Sequence, residues 1–118
     1  MLNERRTSSR IRAYWPVRLH LPRSPRLLET LTKDLSMGGV CCISPTAFPV
    51  STELNLELVL STGEGPITAQ GRTAWFRSLP YSEQFDLGIS FLEMPDHDKR
   101  RLSVYLGGLA SKHPLIAV

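Results

Sequence analysis

The chain has 118 residues, enough for one domain but not for two. Its composition, 42% hydrophobic and 21% charged, is that of a globular protein, and its apolar runs are too short to cross a bilayer. The formal net charge is a mild +3, and the N-terminal stretch MLNERRTSSR has no apolar segment typical of a secretory signal. We therefore expect a cytoplasmic protein without a membrane span.

The positive charge is concentrated at the start of the chain. Seven arginines lie within the first quarter: Arg5, Arg6, Arg10, Arg12, Arg18, Arg23 and Arg26. Such a segment attracts a compact anion. On charge alone, nucleic acid, an acidic lipid and a phosphorylated small molecule all remain open.

The first half of the chain predicts an arm followed by short strands. Residues 1–10 have no hydrophobic periodicity and are predicted to be a flexible arm. Alternation of apolar and polar residues predicts a strand over Val17–Leu21 and a second over Leu27–Lys33. Asp34–Gly39 is predicted to be a turn or bulge, and Val40–Ile43 a third strand.

The second half continues the same pattern. Glu53–Leu60 and Phe85–Phe91 alternate clearly and predict strands. A longer strand is predicted between them over Ile67–Arg77, where Gly71 marks a bend or close packing. One face of this strand is predicted to carry Ile67, Ala69, Gly71, Thr73 and Trp75.

The chain is predicted to end in a helix that begins near Pro95–Asp98, where a proline and acids suit a helix N-terminus. The glycine pair at 107–108 should weaken or end it. We expect a mainly β domain over residues 11–110, a small six-stranded antiparallel barrel with a C-terminal helix, and a tail over 111–118. If the helix is free, a homodimer could form through Leu102, Tyr105 and Leu109.

The first candidate binding motif is Arg6-x-x-x-Arg10, preceded by Arg5. A guanidinium group binds phosphate with two hydrogen bonds, pairs with the O6 and N7 of guanine and stacks on a purine. A mobile arm with two arginines therefore suits a planar, phosphorylated ligand. A solvated basic tail is the alternative.

The second motif is Asp34-x-Ser36-x-x-Gly39. A carboxylate accepts paired hydrogen bonds from the Watson–Crick edge of guanine, and glycine allows a ligand to approach the backbone closely. The same residues have a local structural interpretation, because Asp and Ser form hydrogen bonds in turns. Either motif alone is a weak signal.

The two motifs occur in the order arginine motif, first strand, aspartate motif and barrel pattern, which resembles the PilZ family over nearly the whole chain. Ile11–Leu19 is similar to the first strand of that family and Gly71–Trp75 to its Gly-x-x-x-Trp strand. Phe85–Phe91 is similar to the strand that follows.

The resemblance implies a receptor for cyclic di-GMP that passes the signal to an unidentified protein effector. It implies that Arg6 and Arg10 clamp the ligand, and that Asp34, Ser36 and Gly39 hold its other side. In this family a basic residue at the position of Arg5 accompanies an intercalated, dimeric form of the ligand. The arm is expected to become ordered when the ligand binds.

The remaining residues predict neither catalysis nor a metal or cofactor site. Cys41 and Cys42 are adjacent and point to opposite faces of a strand; one is predicted to be a core residue and the other a partly covered thiol. Two other functions stay open. The barrel is either a protein-interaction adapter that needs no nucleotide, or a module for single-stranded nucleic acid, which is disfavoured because Asp34 would repel a phosphate backbone.

Overall fold

The computed structural model describes residues 11–21, 27–60 and 65–112, with the helix side chains described as far as residue 108. The predicted arm over 1–10, the turn over 22–25 and most of the predicted tail lie outside the described residues. The elements are β1 (Ile11–Arg12), β2 (Pro16–His20), β3 (Leu27–Leu35), β4 (Gly39–Ser44), β5 (Glu53–Leu58), β6 (Ile67–Ser78), β7 (Phe85–Glu93) and α1 (Asp96–Lys112).

The strands form one antiparallel sheet in the order β1-β3-β2-β5-β6-β7-β4. An additional pairing between β3 and β4 closes the sheet into a barrel, to which the short β1 adds an extra strand. The predicted six-stranded barrel with a C-terminal helix is therefore confirmed. Closure pairs backbone groups that an open sheet of such short strands would expose.

Alternate residues of each strand fill the barrel interior. On β5, for example, Leu54, Leu56 and Leu58 are buried while Glu53 and Asn55 are exposed. Each such leucine contributes roughly 1.5–3 kcal/mol through burial of apolar surface. The alternation predicted from the sequence therefore identifies the inner face of the barrel.

Thr32 fixes the chain between β1 and β2. The backbone N–H of Trp15 donates to Thr32 Oγ1 (2.9 Å), and the Thr32 hydroxyl donates to the carbonyl of Ala13. The N–H groups of Ala13 and Thr32 also bond across to the carbonyls of Lys33 (3.0 Å) and Trp15 (2.9 Å). These bonds hold β1 beside the end of β3.

A shift of register in β6 corrects one sequence prediction. Ile67, Ala69, Gly71 and Thr73 face the interior as expected, but Trp75 does not share their face. The register changes between Thr73, which pairs with the core residue Ile89, and Trp75, which pairs with Gly88. The bulge at residue 74 places Trp75 on the outer face, where its ring covers Gly88.

Helix α1 packs on the barrel with one face. Leu102 is fully buried, and the ring of Tyr105 contacts that of Trp15 edge to face at 5.6 Å. Two of the three residues predicted to support a homodimer therefore contact their own barrel instead. The helix also continues to Lys112, so the glycine pair at 107–108 does not end it.

Asp98 connects the helix to the barrel. Its carboxylate accepts hydrogen bonds from the backbone N–H and the hydroxyl of Thr68, both at 3.2 Å, and from the Arg101 guanidinium at 3.2 Å. Arg101 in turn donates to the carbonyl of Gly65 (2.6 Å). The first turn of α1 is thereby fixed to the start of β6.

Asp98→Ala should lower the free energy of unfolding by roughly 3–5 kcal/mol, because it removes three charge-assisted hydrogen bonds at a buried position. Urea denaturation measures the change. Asp96→Ala, in the same helical turn but 85% exposed, is the matched control and should cost much less. Equal losses for the two variants would contradict the role given to Asp98.

Candidate functional site

A bulge in β3 places two charged side chains next to one another. Thr32 pairs with Cys42 and Asp34 pairs with Cys41, so Lys33 and Asp34 together face a single residue of β4. A bulge of this kind re-aims side chains that regular alternation would send to opposite faces. Lys33 and Asp34 are both half-buried.

Asp34 begins a row of residues that crosses four strands of the barrel in register. It pairs with Cys41 of β4, which pairs with Gly88 of β7, which pairs with Trp75 of β6. On its other side Asp34 pairs with Arg12 of β1. Because Gly88 lies between the core residues Leu87 and Ile89, this row follows the outer face of the barrel.

Ser36 and Gly39 form the turn at the end of this row. The N–H of Ser36 donates to the carbonyl of Gly39 (2.9 Å), and the N–H of Gly38 donates to Ser36 Oγ (3.1 Å). A β-carbon at Gly39 would lie 2.2 Å from the carbonyl oxygen of Ile89. Both residues therefore have a structural role, and Ser36 is only 7% exposed.

The predicted arm is attached beside this turn. Ile11 pairs with Leu35 and Arg12 with Asp34, so the two residues that follow the arm lie next to the turn. Arg10 precedes Ile11 directly in the sequence. Arg5, Arg6 and Arg10 themselves lie outside the described residues.

A buried carboxylate that the sequence motifs did not predict lies next to the row. Asp86 of β7 is 1% exposed and accepts hydrogen bonds from Lys33 Nζ (2.9 and 3.2 Å) and from the Arg77 guanidinium (2.8 Å). Burial favours a higher pKa for Asp86, but the hydrogen bonds from Arg77 and Lys33 outweigh it and hold the pKa below its ordinary value. The hydrogen bond to Asp86 likewise raises the pKa of Lys33.

The sequence carried only a faint signal for this cluster. Asp86 alternates with Phe85 and Leu87, which predicts an outward-facing and solvated acid. Its burial depends on Lys33, 53 residues away in the chain, and on Arg77 of the neighbouring strand. The Arg77 guanidinium also lies 5.8 Å from the centre of the Trp75 ring.

Cys41 belongs to this row and Cys42 to the core of the barrel, and both are buried. The prediction that one thiol would be only partly covered is therefore wrong. Burial raises the pKa of Cys42 to about 12, with smaller contributions from Cys41 and Asp86. The Cys42 thiol is thus protonated and unreactive at neutral pH.

The described part of the chain contains no group of three or more His, Cys, Asp or Glu side chains that could hold a metal ion. In the same residues, no helix is long and apolar enough to cross a membrane. The polar groups on the outer face instead offer hydrogen-bond donors, an acceptor in Asp34 and one aromatic ring.

Comparison with known proteins identifies the fold. The sequence model of the PilZ domain matches residues 4–108. The chain belongs to the PilZ domain family. No curated protein matches it.

Solved structures of PilZ proteins share this fold. The chain is similar to the Bacillus subtilis inhibitor of motility MotI/DgrA, with a TM-score of 0.78 and 21% identity over 94% of this chain and 54% of that one. It is also similar to the PilZ domain of Escherichia coli YcgR with c-di-GMP, with a TM-score of 0.71 and 19% identity over 92% and 94%. For the PilZ domain of CeSA from a cellulose-synthesizing bacterium, the TM-score is 0.64 and the identity 23%, over 90% and 100%. The chain thus spans about half of MotI/DgrA but nearly all of the isolated PilZ domains.

Gly39→Ala should strongly destabilise this PilZ domain, by roughly 3 kcal/mol, because the added methyl group meets the rigid backbone of β7. Chemical denaturation provides the measurement. Gly107→Ala is the control: nothing lies within 4 Å of its added methyl group, and alanine favours a helix, so this variant should gain stability. A tolerated Gly39→Ala would refute the close approach of β4 and β7.

The ion pairs of Asp86 with Lys33 and Arg77 should make the free energy of unfolding depend on pH in acid. The pKa of Asp86 is lower in the folded chain than its value of about 3.9 in the unfolded chain, so its ion pairs stabilise the fold above that pH. This stabilisation is lost as the pH falls through the folded pKa. Between about pH 6 and pH 3, the wild type should therefore lose more stability than Asp86→Asn in urea denaturation.

Glu83→Gln, at an exposed acid in the loop before β7, serves as the control and should follow the wild type over the same pH range. If the wild type and Asp86→Asn lost stability in parallel, Asp86 would have no part in the acid response.

Proposed function

We propose that this PilZ domain is a receptor for cyclic di-GMP that binds the ligand on the outer face of the barrel, between the N-terminal arm and the turn Asp34–Gly39. One observation carries the proposal. The strand that continues the arm pairs directly with Asp34 and Leu35, so Ile11, the residue that follows the arginine motif, lies beside the aspartate motif although more than 20 residues separate them in the sequence.

The chemistry of these residues suits the ligand. Asp34 supplies a carboxylate that accepts hydrogen bonds from the N1–H and the exocyclic amine of guanine. Arg6 and Arg10 bind phosphate oxygens and pack against the guanine rings. Gly39 keeps the turn tight against β7, and the Ser36 hydroxyl accepts a hydrogen bond within the turn.

Binding then acts as a switch. The ligand connects the arm to the barrel, the arm becomes ordered, and the new surface of arm and ligand binds a protein effector. Arg5 supplies a further cation for a second, intercalated ligand molecule. The domain performs no catalysis, needs no cofactor and acts in the cytoplasm.

Two of the similar structures contain the proposed ligand. The YcgR structure contains c-di-GMP, and so does a structure of MrkH from K. pneumonia, to which this chain is 18% identical with a TM-score of 0.74. Likeness at that level shows the fold alone. The ligand of the present chain is inferred from its own intact motifs.

Calorimetric titration of cyclic di-GMP tests the proposal, with GTP as the competing nucleotide. The wild type should bind cyclic di-GMP selectively. Arg6→Ala and Arg10→Ala should each weaken binding about tenfold to a hundredfold, since a charge-assisted hydrogen bond contributes ~1.5–3 kcal/mol. Arg100→Ala, at an exposed arginine of α1, is the control and should bind as the wild type does.

Equal affinity of the wild type and both arm variants would contradict the proposed site. Absence of binding by the wild type would remove cyclic di-GMP as the ligand and favour a nucleotide-independent protein adapter. The molar ratio at saturation tests the role of Arg5, because an intercalated dimer requires two ligand molecules per chain.

A further inference from the structure

The buried Asp86 forms ion pairs with two cations on the outer face of the barrel. Lys33 is the neighbour of Asp34 in the bulge, and Arg77 lies two residues beyond Trp75 on β6. The two cations come from strands on opposite sides of β4 and β7, and they converge on one carboxylate. Such convergence fixes two long side chains at one place on the surface.

Among the described residues, two cations contact the single carboxylate of Asp86, and Asp34 lies beside one of them in the bulge. Asp86 is 1% exposed, whereas the side chains of Lys33 and Arg77 are 35% and 69% exposed. The Asp86 carboxylate is thus inaccessible to solvent, whereas the Lys33 and Arg77 side chains remain partly accessible to a second anion.

The arrangement is also pre-organised. Lysine and arginine side chains lose rotamer entropy when a ligand fixes them. Because the ion pairs with Asp86 already restrict Lys33 and Arg77 in the folded protein, this entropy is lost during folding, before any ligand binds. A phosphate oxygen that reaches Lys33 or Arg77 therefore finds its donors already in place.

We propose that Lys33 and Arg77 form a second anion-binding contact of the site, that Asp86 is its positioning residue, and that the contact receives a phosphate group of the ligand bound at Asp34. This inference rests on the proposed function and extends it. The phosphates of the ligand are then bound by two sets of cations, the arginines proposed for the arm and the Lys33–Arg77 pair of the barrel.

Titration of cyclic di-GMP into single variants tests the contact. Lys33→Met and Arg77→Met each keep one cation on Asp86 and should weaken binding about threefold to tenfold, with a smaller dependence of affinity on salt. Arg18→Met is the matched control, because Arg18 also bridges two carboxylates, those of Glu29 and Glu57, on another part of the barrel. It should bind with wild-type affinity.

A double-mutant cycle separates positioning from a structural role. Asp86→Asn should weaken binding in the wild type but much less in the Arg77→Met background, since Asp86 then positions Lys33 alone. A purely structural role predicts a lower melting temperature with unchanged affinity and no coupling. That result overturns the role of Asp86.

Two failures remain distinguishable. If the wild type binds no cyclic di-GMP, the proposed function fails. If the wild type binds, the arm variants do not, and both methionine variants match the wild type, then the function stands and the second contact is refuted.

Discussion

Strands β4 and β7 approach so closely that no side chain fits between them at Gly39, and the rest of the site depends on this approach. A β-carbon at Gly39 would collide with the backbone of β7, and one at Gly88 would collide with the Trp75 ring at 2.3 Å. Gly39 lets the turn after β3 pack against β7, and Gly88 lets the tryptophan ring lie against the outer face of the barrel.

Two bulges decide which side chains lie on that surface. The bulge in β3 brings Lys33 to the same side as Asp34, and the bulge in β6 moves Trp75 out of the core. Without the bulges, Lys33 and Asp34 would point to opposite faces of β3, and the Trp75 ring would point into the barrel. Small irregularities in an otherwise regular sheet thus create the chemistry of the face.

The sequence predicted most of the barrel because alternation of apolar residues depends only on local order. Glu53–Leu58 and Phe85–Glu93 were expected within two residues of their observed ends, and Asp34–Gly39 was expected as a turn or bulge. Trp75 was assigned to the wrong face, because a one-residue bulge leaves no mark in an alternating pattern. Asp86 was missed for a different reason: its partners come from two other strands, and only the register of the closed barrel brings them together.

The packing partner of helix α1 was likewise not predictable from the local sequence. The spacing of Leu102 and Tyr105 predicts an apolar stripe but not its partner, which is the barrel of the same chain.

The two tryptophans lie in settings that make them independent optical probes. Trp75 is half-buried on the outer wall beside the Arg77 guanidinium, while Trp15 packs against Tyr105 where the helix meets the barrel. Emission from the first therefore reports events on the face of the barrel, and emission from the second reports docking of the helix. A pair of variants that each retain one indole would let a single fluorimeter follow the face of the barrel and the docked helix without a label.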